Sequence, residues 1–230
     1  MDDITRLRNE YENRKLRLAG SDLYSLFNPA QLFSIQQRQR DLLKCFRHNG
    51  FFPLIGRRIL EVGCGGGGVL LESLSFGANA DKLHGAELLF DRLQTAYHAL
   101  ASLPLTCADG QNLPYASQSF DLVMQFTVFS SILDDTVKGN ISREMLRVIR
   151  PSGLIVWYDF WLNPINPQTR GIRPAEIRQL FPKCSFEFHK ITLAPPLARR
   201  IVPLSWGLAL FLESLKVLNS HYLVAIRPLG

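Results

Sequence analysis

Ile4, Leu7, Tyr11 and Leu18 recur at helical spacing within an otherwise charged stretch, which predicts an amphipathic helix that stops near Gly20. Asn28-Pro29 supplies a capping side chain followed by a proline at the first helical position. A second helix is therefore expected through Leu32, Ile35, Leu42, Leu43 and Phe46 to about Asn49-Gly50. From Arg58 the pattern changes. Short apolar runs near residues 58–63, 82–87, 104–108, 120–126 and 154–159 alternate with helical patterns near 67–76, 89–102, 139–149 and 173–181. That alternation implies an α/β fold with a parallel, doubly wound sheet. Phe186 to Leu193 and His221 to Arg227 read as two more strands. Between them, Ile201 to Leu212 is too apolar for an exposed helix and is expected to be covered by the core, by a second chain or by a membrane surface. Pro203, Glu213 and Lys216 interrupt it within a span too short to cross a bilayer.

The first strand run leads into chemistry. Ile59-Leu60-Glu61-Val62-Gly63-Cys64-Gly65-Gly66-Gly67-Gly68 is an apolar strand ending in glycines with an acid just before them. A strand that feeds a helix through a turn without Cβ atoms lets the backbone approach a ligand and aims amide N–H groups at it. Gly63, Gly65 and Gly68 satisfy G-x-G-x-x-G, so a dinucleotide is one candidate ligand. Glu61 weighs against it, because a carboxylate beside the turn repels a pyrophosphate and attracts a cation. S-adenosylmethionine, with its ammonium and sulfonium, suits that charge. Glu87 closes the next apolar strand at the separation where an acid accepts from ribose hydroxyls, which fits either cofactor.

Three later segments complete the pattern: Cys107-Ala108-Asp109-Gly110-Gln111-Asn112-Leu113-Pro114, Ser119-Phe120-Asp121-Leu122-Val123, and Arg147-Val148-Ile149-Arg150-Pro151-Ser152-Gly153-Leu154. Together with the glycine turn and Glu87, and in this order from Arg58 to Asp159, the chain resembles the class I S-adenosylmethionine-dependent methyltransferases, in the branch that acts on small molecules. The resemblance implies that Glu61, Gly63 and Gly65 form the first motif, with Cys64 as backbone lining beside them. It makes Glu87 the ribose acid, followed by Leu88, and Asp109 the acceptor for the adenine amine, with Gly110 beside it. Phe120-Asp121 opens the fourth strand. Arg150-Pro151-Ser152-Gly153 stands where the family usually has Lys/Arg-Pro-Gly-Gly, and Ser152 is the departure. The same resemblance implies a Rossmann-like doubly wound sheet of seven strands whose last strand is antiparallel beside strand five.

Residues 1–50 are expected to form an N-terminal helical lid, with Phe27 over the cofactor, and residues 51–230 a methyltransferase core with an apolar helical insertion at 194–220. Ligands of open α/β sheets bind at the carboxyl ends of the strands. Gln125 and Phe126 should therefore flank the methionine part of the cofactor, and Tyr158 and Phe160 the acceptor. Asp159 is the candidate catalytic residue, orienting or deprotonating an acceptor hydroxyl, against the alternative that it caps the loop from Trp161 to Pro167. His189 and His221 lie on the terminal strands, whereas His48, His84 and His98 read as surface or helix-face residues.

Composition narrows the picture. A length of 230 residues with 47% hydrophobic content suits one core with accessories and leaves no room for a dehydrogenase's second domain. The net charge of +6 invites a nucleic-acid reading, yet the cations are dispersed and no aromatic-basic module appears; nucleic acid is disfavoured. Solvated helix faces account for most of that charge, with attraction to an anionic substrate or membrane surface left open. Four cysteines without paired spacing indicate a reducing compartment and no metal site. The acidic Met1-Asp2-Asp3 start reads as neither a secretory signal nor a mitochondrial presequence, so the cytoplasm is expected. The function expected is methyl transfer from S-adenosylmethionine to a small molecule, at a hydroxyl of a sugar or natural-product precursor. The alternatives are an N- or C-methyltransferase on the same scaffold, or a cofactor- or partner-binding module without catalysis. Retention of Glu61, Glu87 and Asp109 argues against the last.

Overall fold

In the computed structural model, which describes residues 3–162 and 166–229, seven strands form one sheet. They are β1 (Ile59–Val62), β2 (Leu83–Glu87), β3 (Leu105–Cys107), β4 (Phe120–Phe126), β5 (Ile149–Phe160), β6 (Cys184–Leu193) and β7 (Asn219–Pro228), in the spatial order β3-β2-β1-β4-β5-β7-β6. The first five pair in parallel, and β7 is antiparallel to both β5 and β6. β6 therefore runs with the first five, and the carboxyl ends of β1, β2, β4, β5 and β6 share one edge. This is the Rossmann-like sheet with an antiparallel last strand that the resemblance implies.

Side chains alternate across the sheet, so each central strand feeds two apolar layers, and every residue of β1 is buried. Ile59, Leu122, Met124 and Val156 face Leu42, Cys45 and Phe46 of α2 (Pro29–His48) and Leu70 of α3 (Gly68–Ser75). On the other side, Leu60, Val123, Ile155 and Trp157 face α5 (Asp135–Val148) and α6 (Pro174–Leu180). Leu7 of α1 (Asp3–Arg17) joins this second layer. α4 (Phe90–Ala99) follows β2, while α7 (Pro195–Ile201) and α8 (Trp206–Ser214) fill the connection between β6 and β7.

Three differences from the sequence expectations have clear causes. β5 begins at Ile149, because Ile149 pairs with Phe120 and Leu154 with Leu122, so Arg150-Pro151-Ser152-Gly153 bulges out of the ladder instead of preceding the strand. α5 starts at Asp135 because the Asp134 carboxylate accepts from Thr136 N at 2.7 Å and Val137 N at 3.3 Å, a cap that the apolar periodicity does not reveal. α8 is not covered as its composition suggests; of its nine residues only Ala209 and Glu213 are buried.

The Asn28 cap is present as read, with its side-chain oxygen accepting from Ala30 N at 3.0 Å and Gln31 N at 3.4 Å. Asn28→Ala should lower stability in urea denaturation by about 0.5–2 kcal/mol, the usual cost of an unsatisfied helix start. A change below that range would mean that solvent or packing compensates for the cap.

Candidate active site

The shared carboxyl edge of the sheet opens into a cavity of about 100 Å³. Strand ends supply its floor through Val62-Gly63, Ala86-Glu87-Leu88 and Asp109-Gly110. Phe126, Thr127, Val128 and Ile132 form one wall with Val137 and Ile141 of α5, and Ile4, Leu7 and Tyr11 of α1 form the roof.

The turn after β1 is held to the end of β2 by hydrogen bonds. Gly63 N and Cys64 N donate to Ala86 O at 2.8 and 3.0 Å. The Glu87 carboxylate, buried at the end of β2, accepts from Gly65 N at 2.8 Å with one oxygen and from Leu89 N at 3.0 Å with the other. Gly63 and Gly65 have φ of +74° and +54°, and a Cβ would overlap Val128 in the first case and the Arg92 guanidinium in the second. Both positions need glycine for conformation and for space. Arg92, on the first turn of α4, lines the cavity with its guanidinium 4.2 Å from the Tyr11 ring centroid. Tyr11 and Glu87 hold the guanidinium charged against the cost of its burial, so its pKa is raised.

Glu61 lies buried behind the turn, and its Oε2 has no hydrogen-bond partner among the described residues. Burial drives its pKa well above the usual carboxylate range, against the pull of Arg38. Arg38 is ion-paired with Glu72 and lies 5.6 and 5.7 Å from the ring centroids of Phe126 and Tyr158. Asp109 accepts from Gln111 N at 2.9 Å and from Gln111 Nε2 at 3.1 Å.

Of the residues anticipated from sequence, Gly63, Glu87, Leu88, Asp109, Gly110 and Phe126 line the cavity. Glu61, Cys64 and Gly65 stand in the layer behind it, and the Gly65 amide is already engaged by Glu87. Gln125 is fully buried; its amide donates to Tyr158 O at 3.4 Å and accepts from Val128 N at 3.0 Å, so it shapes the wall from behind.

Four side chains stand elsewhere than anticipated. Phe27 is 96% exposed and away from the cavity, where Leu7 and Tyr11 take the place assigned to it. Asp159 points into the protein, accepting from Ser130 N at 3.0 Å and Phe160 N at 2.8 Å; it caps the strand end and the neighbouring turn. Burial raises its pKa to about 6 despite those donors. Residues 163–165 of the loop it was weighed as capping lie outside the described residues. Tyr158 is on the opposite face from Asp159, its hydroxyl 2.9 Å from Thr192 Oγ1 and its ring stacked on His221 at 4.7 Å; burial pushes its pKa to about 12. Phe160 lies 3.9 Å from the His221 ring, and neither Tyr158 nor Phe160 lines the cavity. His221, buried beneath them, has its pKa lowered to about 3 by that burial and then by Arg38, so it is neutral at physiological pH. His189 is exposed.

Arg92, Ile4, Leu7 and Tyr11 belong to the site without having been anticipated there. The apolar face of the first helix was legible from spacing, but not the surface it packs on; for Arg92 the sequence carries no signal beyond its place after the ribose acid.

Fold and site together define a class I, Rossmann-like methyltransferase scaffold. Residues 60–157 match the family described as a methyltransferase domain. A ubiquinone biosynthesis O-methyltransferase of Neisseria meningitidis is 27% identical over 157 residues, 66% of this chain and 64% of that protein. A sterol 4-C-methyltransferase of Caenorhabditis elegans is 30% identical over 106 residues, 44% of this chain and 30% of that protein. The chain thus matches less than two thirds of the length of these curated relatives. Among solved structures, magnesium protoporphyrin IX methyltransferase from Synechocystis with bound S-adenosylmethionine superposes with a TM-score of 0.66 at 14% identity, covering 99% of this chain and 98% of that one. Residues 60–157 thus carry the match to a methyltransferase domain, and the fold is that of the solved S-adenosylmethionine-dependent methyltransferases. The lining suits S-adenosylmethionine: the Glu87 and Asp109 carboxyl groups meet in the cavity beside Gly63, where a Cβ would fill the space against Val128.

Two outcomes follow. Glu87→Ala removes the acceptor of two loop amides, and should weaken S-adenosylhomocysteine binding by about 1.5–3 kcal/mol in calorimetry; an unchanged dissociation constant would take Glu87 out of the site. For Asp159, the folded-state pKa near 6 exceeds the ordinary 3.8, so between those values the folded chain binds the proton more readily than the unfolded one. Its contribution favours the fold below about pH 4 and is lost as pH rises to 6. Asp159→Asn should therefore flatten the stability difference between pH 4 and 6 in urea titrations while leaving cofactor affinity within about threefold, because the side chain is not in the cavity. A cofactor affinity that falls further would place Asp159 in the binding site.

Proposed function

We propose that the chain transfers the methyl group of S-adenosylmethionine to a hydroxyl oxygen of a small acceptor whose body is apolar. The observation that carries this reading is one cavity where Glu87, Asp109, Arg92 and the glycine turn meet mainly apolar walls, among them Leu7, Val128, Ile132, Val137 and Ile141. When bound, the cofactor supplies a methyl group already activated by positive sulfur. Glu87 would accept from the ribose hydroxyls with the lone pairs that Gly65 and Leu89 leave free. Asp109 would accept from the adenine amine, with Leu88, Gly110 and Ile141 flanking the ring. Arg92 would pair with the cofactor's carboxylate, and Glu61 would favour the positive end through the field of its buried carboxyl.

The aliphatic walls favour an apolar acceptor over a free sugar, whose hydroxyls would lose their water without gaining partners. The relative named as an O-methyltransferase of ubiquinone biosynthesis supports the oxygen. Carbon is the second reading, favoured by the lack of any histidine lining the cavity and by the relative named as a sterol 4-C-methyltransferase. In either case the new bond to the methyl carbon forms as the S–CH3 bond breaks, S-adenosylhomocysteine leaves and the acceptor's proton passes to solvent, so catalysis rests chiefly on alignment.

α1 acts as the lid, and α2 belongs with the core. Supporting this division, Arg6 donates to Ser131 O, Tyr11 meets Arg92, and Leu7 is buried, whereas α2 gives Leu42, Cys45 and Phe46 to the sheet's apolar layer. Free thiols at Cys45, Cys64, Cys107 and Cys184 support a cytoplasmic setting.

Calorimetry on the purified chain is expected to register S-adenosylhomocysteine and to stay flat with NAD and FAD. With labelled S-adenosylmethionine and a panel of apolar phenols and alcohols, the label should appear as an ether. Label on carbon would shift the acceptor to the second reading, and NAD binding without S-adenosylhomocysteine binding would overturn both. Tyr11→Ala should weaken S-adenosylhomocysteine binding threefold to thirtyfold, the scale of about 0.5–2 kcal/mol for a partly desolvated cation–π contact; no change would remove the lid role of α1.

A further inference from the structure

We infer that the α7–α8 insertion is an interfacial docking surface for a membrane leaflet with anionic headgroups. Leu208 and Phe211 of α8, Leu204 in the turn before it and Leu215 at its C-terminal cap are all exposed, Leu204 to 85% and Phe211 to 59%. Ala209 and Glu213 are the buried residues of α8, and Leu210 and Leu212 pack partly against the same cluster, which leaves Leu208 and Phe211 as its most exposed apolar side chains. Trp206 stands at the edge of this patch, 5.2 Å from Phe33 of α2. Ala30 and Phe33, from the first turns of α2, pack in one cluster with Ala198, Val202 and Ala209, which brings the exposed Phe27 to the same end of the molecule.

Charge identifies the occupant. Arg199, Arg200 and Lys216 are exposed beside the patch. The one acid between residues 194 and 218 is Glu213, which is buried and bonded to Lys216 at 2.7 Å and to Asn219 at 3.1 Å. The surface of the insertion therefore presents apolar side chains and cations without an exposed anion, the complement of an anionic lipid surface. Its shape agrees, since the apolar residues project from a short helix and do not line a groove. No helix among the described residues is long and apolar enough to cross a bilayer, so attachment would be to one leaflet.

Topology gives the surface a purpose. β6 runs parallel to β5, so the insertion leaves the sheet at Leu193 on the edge where the cavity opens, and Thr192 at its root is bonded to Tyr158. Docking there brings the cavity's edge toward the region where an apolar acceptor concentrates, a consequence that rests on the acceptor reading above. The docking itself does not depend on it.

Sedimentation of the full chain with phosphatidylcholine vesicles, and with vesicles containing phosphatidylglycerol as well, tests the inference. The chain should pellet with the anionic vesicles and be released by high salt. Phe211→Glu with Leu208→Glu, and separately Arg199→Ser with Arg200→Ser, should each reduce the bound fraction about tenfold or more while S-adenosylhomocysteine binding is retained as a measure of intact fold. A full chain that stays in the supernatant with both vesicle types would overturn the inference. So would pelleting that neither pair of substitutions changes, or a dimer in light scattering that Phe211→Glu dissociates while vesicles bind nothing. A methyl-transfer assay with a soluble acceptor reads the acceptor proposal independently of vesicle binding.

Discussion

The Glu87 carboxylate is the contact on which the rest of the site depends. With one oxygen it holds Gly65 N at 2.8 Å, and with the other it holds Leu89 N at 3.0 Å, immediately before α4. A single buried acid thereby fixes the glycine turn after β1 to the end of β2 and sets where the next helix begins. Both amides would otherwise be unpaired donors at the rim of an apolar cavity, where water does not replace a lost partner cheaply. Because α4 starts at that place, its first turn carries Arg92 across Gly65, which is why the glycine cannot bear a Cβ. Tyr11 then closes onto Arg92 from above. α1, the glycine turn and the start of α4 are thus linked in series through one side chain.

A second buried acid works differently. Glu61 has no amide to hold with its Oε2; it sits in a low-dielectric layer with Glu72 and Arg38, where one guanidinium faces two carboxyls. Among the described residues Arg38 Nε and Glu72 Oε2 are also without hydrogen-bond partners. Such a cluster contributes little to stability, because the desolvation of its members offsets much of their attraction. Burial favours the uncharged form of Glu61, and a cation nearby would draw it toward the ionised form, whereas a pyrophosphate would not.

What was legible in the sequence follows from how local each constraint is. Strand and helix periods, the Asn28 cap and the two acids at strand ends are written within a few residues, and the sheet order could be taken from the resemblance. The destinations of side chains were not legible where they depend on the other face of the sheet. Tyr158 and Asp159 are neighbours in sequence but point to opposite layers, so a strand-end pair that looked like one acceptor site became a tyrosine tied to Thr192 and an aspartate tied to backbone amides. Phe27 precedes the core as a lid residue might, yet the turn before α2 leaves it in solvent, and the shorter route to the cavity runs through Ile4, Leu7 and Tyr11. The α8 composition predicted a cover that this chain alone does not provide.

The same distinction separates what this fold keeps from what it can vary. The cavity floor lies at the ends of β1, β2 and β3, where backbone hydrogen bonds and glycine geometry leave little freedom. The acceptor side is bounded by α1, by the turn after β4 and by the connection from β6 to β7, elements that meet the sheet mainly through apolar contacts. Methyl transfer asks for alignment and exclusion of water, and a dry wall of a different shape satisfies that demand as well as the present one. Specificity is then a matter of which aliphatic surface α1 and the wall from Val128 to Ile141 present, and of where the exposed insertion holds the molecule while the acceptor enters. A short motif can encode a ribose-binding acid; it cannot encode a shape assembled from helices 130 residues apart in the chain, such as α1 and α5.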